Sequence, residues 1–434
     1  MLTLNLELID KDYQMRLEKI YIQNYRAFKE DTYLKIKPLT LIFGENNAGK
    51  SSLARLLPSI KKSCKKNKSP HPFLPVNVHN NFGSFDFTYN RENKFKIGMM
   101  FRDNEVIYSI NYLDKERVSF IESIKVYRKN NLVLDLIKNL DSSSDFKNNY
   151  FEKINSKEID NIEFNGLEVS FKTIKDMESD IHKKMLAFTG MDLNYLKNHI
   201  FWLGPLRHTP DQVEKLFLTN FGISPNGHEA TQILADSLDR RTDLFPFVQK
   251  WFRDSFKHDL NIEFFAGLSS DRMFSVVISP LNNLDLKVPI CDCGTGFSQV
   301  LPIIVLGAQA ILGELGNDPY IVIENPELHL HDSFHDDLGR FFSDIVNSDF
   351  NPTLIVETHS ENIMLAVQLK IAKNEIEKEN VIINWVKKLD NGTSIIEDVM
   401  FDENGVPSEN WPISTFKTAS NQARELFNIN IEKQ

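Results

Sequence analysis

Residues 34–52 read LKIKPLTLIFGENNAGKSS. The apolar run before Gly44 suits a strand buried on both faces. It ends in Gly44-Glu45-Asn46-Asn47-Ala48-Gly49-Lys50-Ser51-Ser52, and Leu53, Leu56, Leu57 and Ile60 then predict an apolar-faced helix. The spacing is G-x-x-x-x-G-K-[ST] between a strand and a helix, the context in which this loop cradles phosphate. Its glycines let backbone N–H groups curl around phosphate oxygens, and the following helix points its positive end at the same anion. Lys50 offers a point charge to the β- and γ-phosphates, and Ser51 offers a hydroxyl to Mg²⁺. The stretch therefore implies a nucleoside triphosphate and Mg²⁺ as ligands. Gly44, Asn46, Asn47, Ala48, Gly49, Lys50, Ser51 and Ser52 are the residues expected around them.

Working outward, residues 17–25 (LEKIYIQNY) alternate as a strand does, and residues 34–43 read as a second strand. Residues 81–127 are rich in β-forming side chains, residues 141–166 are polar and irregular, and residues 174–199 and 212–256 look helical. No heptad pattern persists, so no long coiled-coil arm is expected. The fold expected is α/β, a P-loop NTPase core in two halves. Residues 1–110 and 266–434 form the core, and residues 111–265 form an inserted, mostly helical lobe.

The second half carries three further elements. Residues 292–309 (DCGTGFSQVLPIIVLGAQ) set Gly296 and Ser298 at a predicted helix start, where small residues, a hydroxyl and free backbone donors can cradle an anion. Residues 319–323 form an apolar strand ending in Glu324-Asn325-Pro326-Glu327. An acid at such a tip can hold Mg²⁺, and a second carboxylate can polarise the attacking water, so Glu324 and Glu327 are the candidate catalytic acids. Residues 353–356 form another apolar strand, ending in Glu357-Thr358-His359-Ser360, where His359 can reach a terminal phosphate. The succession of phosphate loop, Gly-x-Ser helix, acidic strand tip and histidine strand tip carries more weight than any one element.

Bulk properties narrow the choice. The chain has 434 residues and a formal net charge of -10, so any DNA contact must be a local patch. Lys61, Lys62, Lys65, Lys66 and Lys68, with Lys183 and Lys184, are the candidates, although a solvated helix end explains the first run as well. Only Cys64, Cys291 and Cys293 occur, which fits a reducing cytoplasm and gives no disulfide framework. His329, His331 and His335 with Asp332 and Asp336 suggest a metal site, but a turn leading into a helix explains them better. No apolar run reaches the roughly 18 residues of a membrane span, and no signal peptide is visible. The expectation is a cytoplasmic protein without a membrane partner.

These residues resemble the ABC-type ATPases in their RecF, SMC and OLD branch. IQNYRAF and LTLIFGENNAGKSS look like the first strands and Walker A, CGTGFSQVLP like the signature, IENPELHLH like Walker B and D-loop, and ETHS like the H-loop. LGPLR (203–207), PNGHEA (225–230) and NWP (410–412) look like stand-alone OLD-type bacterial ATPases of the AAA family. The resemblance implies that Lys50 grips phosphate, Ser51 and Glu324 hold Mg²⁺, and His359 senses the γ-phosphate. It puts Arg26 near the nucleotide and Gly296 and Ser298 on the ATP of a second subunit, in a homodimer or larger homo-oligomer of ATP-sandwiched heads. Where ABC heads usually place the catalytic Glu, this chain has Asn325; either Glu327 is expected to take that role or hydrolysis is expected to be slow. No clear Q-loop Gln is found; residues 81–85 lie where it should be. About 75 residues follow His359, which is expected to be too few for the TOPRIM nuclease domain of OLD proteins. The resemblance thus points to the ATPase sensor of a bacterial anti-phage defence system with a separate nuclease or toxin effector. The alternative is a RecF-like DNA-repair or chromosome-maintenance ATPase that binds DNA.

Overall fold

A computed structural model describes residues 16–64, 71–76, 87–139, 150–159, 162–170, 191–217, 222–266 and 272–412. Residues 81–85, Lys65, Lys66, Lys68, Lys183 and Lys184 lie outside these, as do residues 174–190 of the helix predicted over 174–199 and residues 141–149, 160 and 161 of the stretch predicted to be irregular over 141–166. The chain forms two compact units, Met1–Ile36 with Arg55–Ile200 and Lys388–Ile395, and Lys37–Ala54 with Phe201–Lys387 and Ile396–Gln434.

The first unit is dominated by antiparallel strands: β1 (Leu17–Gln23), β2 (Thr32–Lys35), β4 (Lys94–Phe101), β5 (Asn104–Leu113), β6 (Val118–Arg128), β7 (Asn131–Lys138), β8 (Tyr150–Glu152) and β9 (Lys157–Ile159). They form one eight-stranded sheet in the order β2-β1-β4-β5-β6-β7-β8-β9, and β10 (Glu163–Asn165) pairs with β11 (Glu168–Ser170). Alternation drives this sheet: in β4, Phe95, Ile97 and Met99 are buried while Lys94 is exposed and Lys96 half-buried. Helices α2 (Leu56–Ser63) and α3 (Met191–His199) belong to the same unit. The expectation of a mostly helical lobe over residues 111–265 is therefore corrected. Its described residues up to 170 are strands, because Val, Ile, Phe and Tyr alternate with polar residues through β5, β6 and β7.

The second unit holds a six-stranded sheet. Its members are β3 (Leu39–Gly44), β12 (Ile200–Leu203), β17 (Tyr320–Glu324), β18 (Thr353–Glu357), β19 (Val381–Lys388) and β20 (Ser394–Val399), in the order β12-β17-β18-β3-β19-β20. Neighbours β17, β18, β3 and β19 run parallel. β17 and β18 are buried at every position, as strands covered on both faces must be. Leu39, Leu41, Phe43, Ile321, Ile323, Leu354 and Val356 put one face of these strands into a core shared with α5 (Leu244–Phe256), α6 (Thr295–Ile311) and α7 (Ser333–Val346). α4 (Ala230–Arg240) and α8 (Glu361–Ala372) join that core, and α1 (Lys50–Ala54) leaves the tip of β3. β13 (Glu214–Lys215), β14 (His258–Ala266), β15 (Arg272–Pro280) and β16 (Val288–Pro289) make a smaller antiparallel sheet.

The single strand predicted over residues 34–43 is two. β2 ends at Lys35 and β3 begins at Leu39, and they lie in different sheets. Pro38 between them has no N–H for a ladder, and its carbonyl instead receives the N–H of Leu354 at 2.7 Å. Among the described residues, no helix is long and apolar enough to cross a membrane.

Candidate functional site

Parallel pairing sets the site. In register, Glu324 at the end of β17 stands beside Glu357 at the end of β18, and Glu357 stands beside Ile42, two residues before the phosphate loop. Three strand ends thus bring two carboxylates and the loop to one edge of the sheet, where ligands of open α/β sheets bind.

The loop needs its glycines. Gly44 has a φ of 151°, and a Cβ there would lie 2.2 Å from the Val386 carbonyl oxygen. Gly49 has a φ of 104°, and Asn47, at 59°, is a residue that tolerates the left-handed region. Lys50 is buried, and its Nζ donates to the carbonyls of Gly44 at 3.0 Å and Glu45 at 2.6 Å. Burial lowers the Lys50 pKa, and Glu357, Glu45 and Glu327 push it back up. The ammonium therefore rests on its own loop among carboxylates, ready to exchange carbonyl partners for phosphate oxygens. Ser51 Oγ donates to Glu357 Oε1 at 2.5 Å.

Glu324 is fully buried, and its Oε1 accepts the indole N–H of Trp202 at 2.8 Å. Asn325 follows at a left-handed φ of 44° and donates its N–H to the Glu357 carbonyl at 2.8 Å. That turn swings Glu327 back toward the end of β18. Its Oε2 accepts Thr358 Oγ1 at 2.8 Å, and its Oε1 accepts the His359 backbone N–H at 2.7 Å. Two donors from adjacent residues fix this carboxylate's orientation. His359 keeps an exposed ring. Partial burial, then the Lys50 ammonium, lower its pKa against the opposing pull of Glu327. Lys50, Ser51, Glu324, Glu327, Glu357 and His359 thus form one group.

Three residues were not singled out from the sequence as site residues. Glu357 sits in the ETHS motif, where His359 drew the attention. Trp202 directly precedes LGPLR, and Arg207 is its last residue. The Arg207 guanidinium is buried and donates to the carbonyls of Glu324 and Asn325. Burial lowers its pKa to about 10, against Glu327 and Glu324. An arginine four residues after the end of an apolar strand, in a chain with two acidic strand tips, was the signal available.

Gly296 and Ser298 stand at the start of α6, after a Gly294 cap. A Cβ on Gly296 would lie 3.0 Å from the His329 carbonyl oxygen, so the glycine permits close packing of the turn at residues 329–330. Ser298 is buried and donates to the Thr295 carbonyl at 2.9 Å. Among the described residues, no hydrogen bond joins either residue to the phosphate loop. Arg26 belongs to the other unit, where it takes a φ of 55° and donates its N–H to the Phe87 carbonyl at 2.7 Å.

The remaining sequence candidates have structural partners. His331 meets Ser333 Oγ at 2.9 Å, and His335 meets Ser360 Oγ at 2.8 Å. Among the described residues, no group of three His, Cys, Asp or Glu residues is arranged to hold a metal. Lys61 Nζ donates to the Ile200 carbonyl, and Lys62 Nζ to that of Pro75 at 3.4 Å. Trp411 of NWP is buried edge-on against Phe43 and Trp385, with ring centroids 5.7 and 5.5 Å away.

The sequence profile described as AAA ATPase domain matches residues 15–201 and 223–364, most of the chain. The chain belongs to the AAA ATPase domain family. With the loop, the parallel sheet and the acidic strand tips, this makes the fold that of an α/β P-loop NTPase. No curated protein matches the chain. Among solved structures it is similar to the SMC head domain from Thermotoga maritima at 14% identity and a TM-score of 0.39, covering 88% of this chain and 98% of that one. It is also similar to an SmcHead bound to the C-winged helix domain of ScpA, at 11% identity and a TM-score of 0.41, covering 88% and 98%. A third is the Smc head domain with an extended coiled coil bound to the C-terminal domain of ScpA derived from Pyrococcus furiosus. Its identity is 9% and its TM-score 0.41, with 88% of this chain and 96% of that chain covered.

Proposed function

We propose that this chain binds ATP with Mg²⁺ at the Gly44–Ser52 loop and hydrolyses it. The observation that carries the reading is the convergence of Lys50, the Ser51–Glu357 pair and the doubly held Glu327 beside the loop. Backbone donors of the loop and the start of α1 face the phosphates, and Lys50 moves from loop carbonyls to phosphate oxygens. The donor set suits Mg²⁺, which takes hard oxygen ligands and binds through one or two carboxylates plus substrate phosphates. Ser51, Glu324 and Glu357 are the residues that would hold it. When bound, Mg²⁺ neutralises charge developing on the transferred phosphoryl group. Glu327, fixed by Thr358 and the His359 backbone, orients the attacking water and takes its proton. The His359 ring supplies a hydrogen bond to the terminal phosphate.

The chain further acts as an ABC-type head. Gly296 and Ser298 of one copy meet the nucleotide held by another. Ser298 bonds within its own helix, which leaves the exposed Gly294–Thr295 backbone to present the cradle. ATP then serves a switch, a defence-type sensor that works with a separate effector protein in the cytoplasm. The resemblance of LGPLR, PNGHEA and NWP to stand-alone OLD-type ATPases supports this over DNA repair, as does the engagement of Lys61 and Lys62 within the fold.

The test is Glu327→Gln. It should keep ATP binding, lose hydrolysis and trap an ATP-bound dimer visible by size-exclusion chromatography with light scattering. If Glu324→Gln alone traps ATP and Glu327→Gln turns over normally, the role given to Glu327 is wrong.

A further inference from the structure

Two segments near the site have no part in the chemistry above: residues 202–208 and the PNGHEA loop. Both are built as connections. At one end, Trp202 holds the side chain of Glu324 and Arg207 holds the carbonyls of Glu324 and Asn325. At the other, Gln299 of α6 and the Arg207 backbone bond reciprocally: Arg207 N–H to Gln299 Oε1 at 3.1 Å, and Gln299 Nε2 to the Arg207 carbonyl at 2.8 Å. Gln299 directly follows Ser298. The PNGHEA loop backs the segment, since Gly204 donates to the Pro225 carbonyl and His208 to that of Asn226, both at 2.7 Å. The same loop presses on α6. Gly227 has a φ of 69°, and a Cβ there would lie 2.4 Å from Pro302 Cβ.

Each contact is fully specified. An indole N–H has one direction in which to donate, and the buried Arg207 guanidinium presents its donors as a rigid fork. A shift of α6 therefore pulls the 202–208 segment through Gln299, and the segment carries Glu324 with it. A flexible surface loop could not transmit this, but a chain of directional bonds running from part-buried to buried can.

We infer that residues 202–208 form a positioning brace, in which Trp202 and Arg207 set the Glu324 carboxylate for its metal and tie that setting to the position of α6. The brace rests on the ATP–Mg²⁺ reading above and adds a pathway from the start of α6 to the Glu324 carboxylate. Trp202 and Arg207 act through Glu324 and touch neither nucleotide nor metal themselves.

The experiment measures Mn²⁺ affinity by electron paramagnetic resonance, with a saturating non-hydrolysable ATP analogue, in the full chain. Four proteins are compared: wild type, Trp202→Phe, Glu324→Gln and the double variant. Trp202→Phe keeps an aromatic ring and removes the donor, and thermal melting checks that each variant remains folded. Loss of a ligand's outer partner typically weakens metal binding 10–100-fold. The expected result is about a tenfold weaker Mn²⁺ affinity for Trp202→Phe in the wild-type background and no further loss in the Glu324→Gln background. Arg207→Lys, which keeps the charge but loses the fork, should show the same dependence on background. Equal losses in both backgrounds, or an affinity for Trp202→Phe within about twofold of wild type, would overturn the brace. Wild-type protein that binds neither the analogue nor Mn²⁺ would instead overturn the ATP reading beneath it.

Discussion

Replacing Glu357 by Gln keeps the side chain's shape and removes its charge. The structure gives this change two costs. The Ser51 hydroxyl donates to Glu357 at 2.5 Å, and a bond to a charged acceptor contributes about 1.5–3 kcal/mol, against about 1 kcal/mol for a neutral one. Glu357 is also the first of the charges that support the buried Lys50 ammonium. Together these put the loss at about 2 kcal/mol, or roughly 30-fold in a rate or affinity that needs the metal. Without the metal the sign reverses, because one negative charge facing a triphosphate has gone. The assay is therefore paired. Steady-state ATP hydrolysis with Mg²⁺ should fall roughly 30-fold, while a fluorescent ATP analogue in EDTA should bind as well as wild type or better. Hydrolysis within about twofold of wild type, or an equal loss of binding with and without Mg²⁺, would refute the role given to Glu357.

Two further outcomes follow from packing and titration. Gly339→Ala should destabilise the fold by about 1–3 kcal/mol in urea denaturation, because its Cβ would lie 2.6 Å from both the Ile363 carbonyl oxygen and Ala366 Cβ, between α7 and α8. Wild-type stability in that variant would show that the two helices can part without cost. The pKa of His359 is lowered in the fold, so in the window just below its ordinary 6.5 the unfolded chain binds more protons than the folded one. Stability therefore rises with pH through that window, and His359→Asn should flatten the rise in denaturation curves taken on either side of it; an unchanged slope would contradict the assignment.

The core of this arrangement was readable from short stretches. Residues 320–323 and 353–356 are continuous apolar runs, which only a doubly covered strand tolerates, and each ends in the acid that the fold places at the sheet edge. The phosphate loop was legible because its glycines answer to local backbone geometry, as the Gly44 approach to Val386 shows. What stayed hidden depends on distant pairing. β1 pairs with β4, 73 to 84 residues away, and no local pattern fixes that partner, so the strands of the same sheet beyond residue 110 were read as part of a mostly helical lobe. Trp202 and Arg207 looked like ordinary residues of a strand and its following turn. Their roles come from bonds to Glu324 and Gln299 across roughly a hundred residues of sequence. Glu357 was hidden differently: the motif that contains it was read for its histidine, and only strand register sets it beside Glu324.

The central claim is that the Gly44–Ser52 loop binds and turns over ATP through Lys50. The direct measurement is ATP binding and hydrolysis by the purified full chain and its Lys50→Ala variant, with folding checked by circular dichroism. The account predicts Mg²⁺-dependent hydrolysis by the wild type and, in the variant, a fall of at least about a hundredfold in kcat/KM, because the buried triphosphate loses its charge partner. Equal activity in a folded Lys50→Ala variant would contradict it.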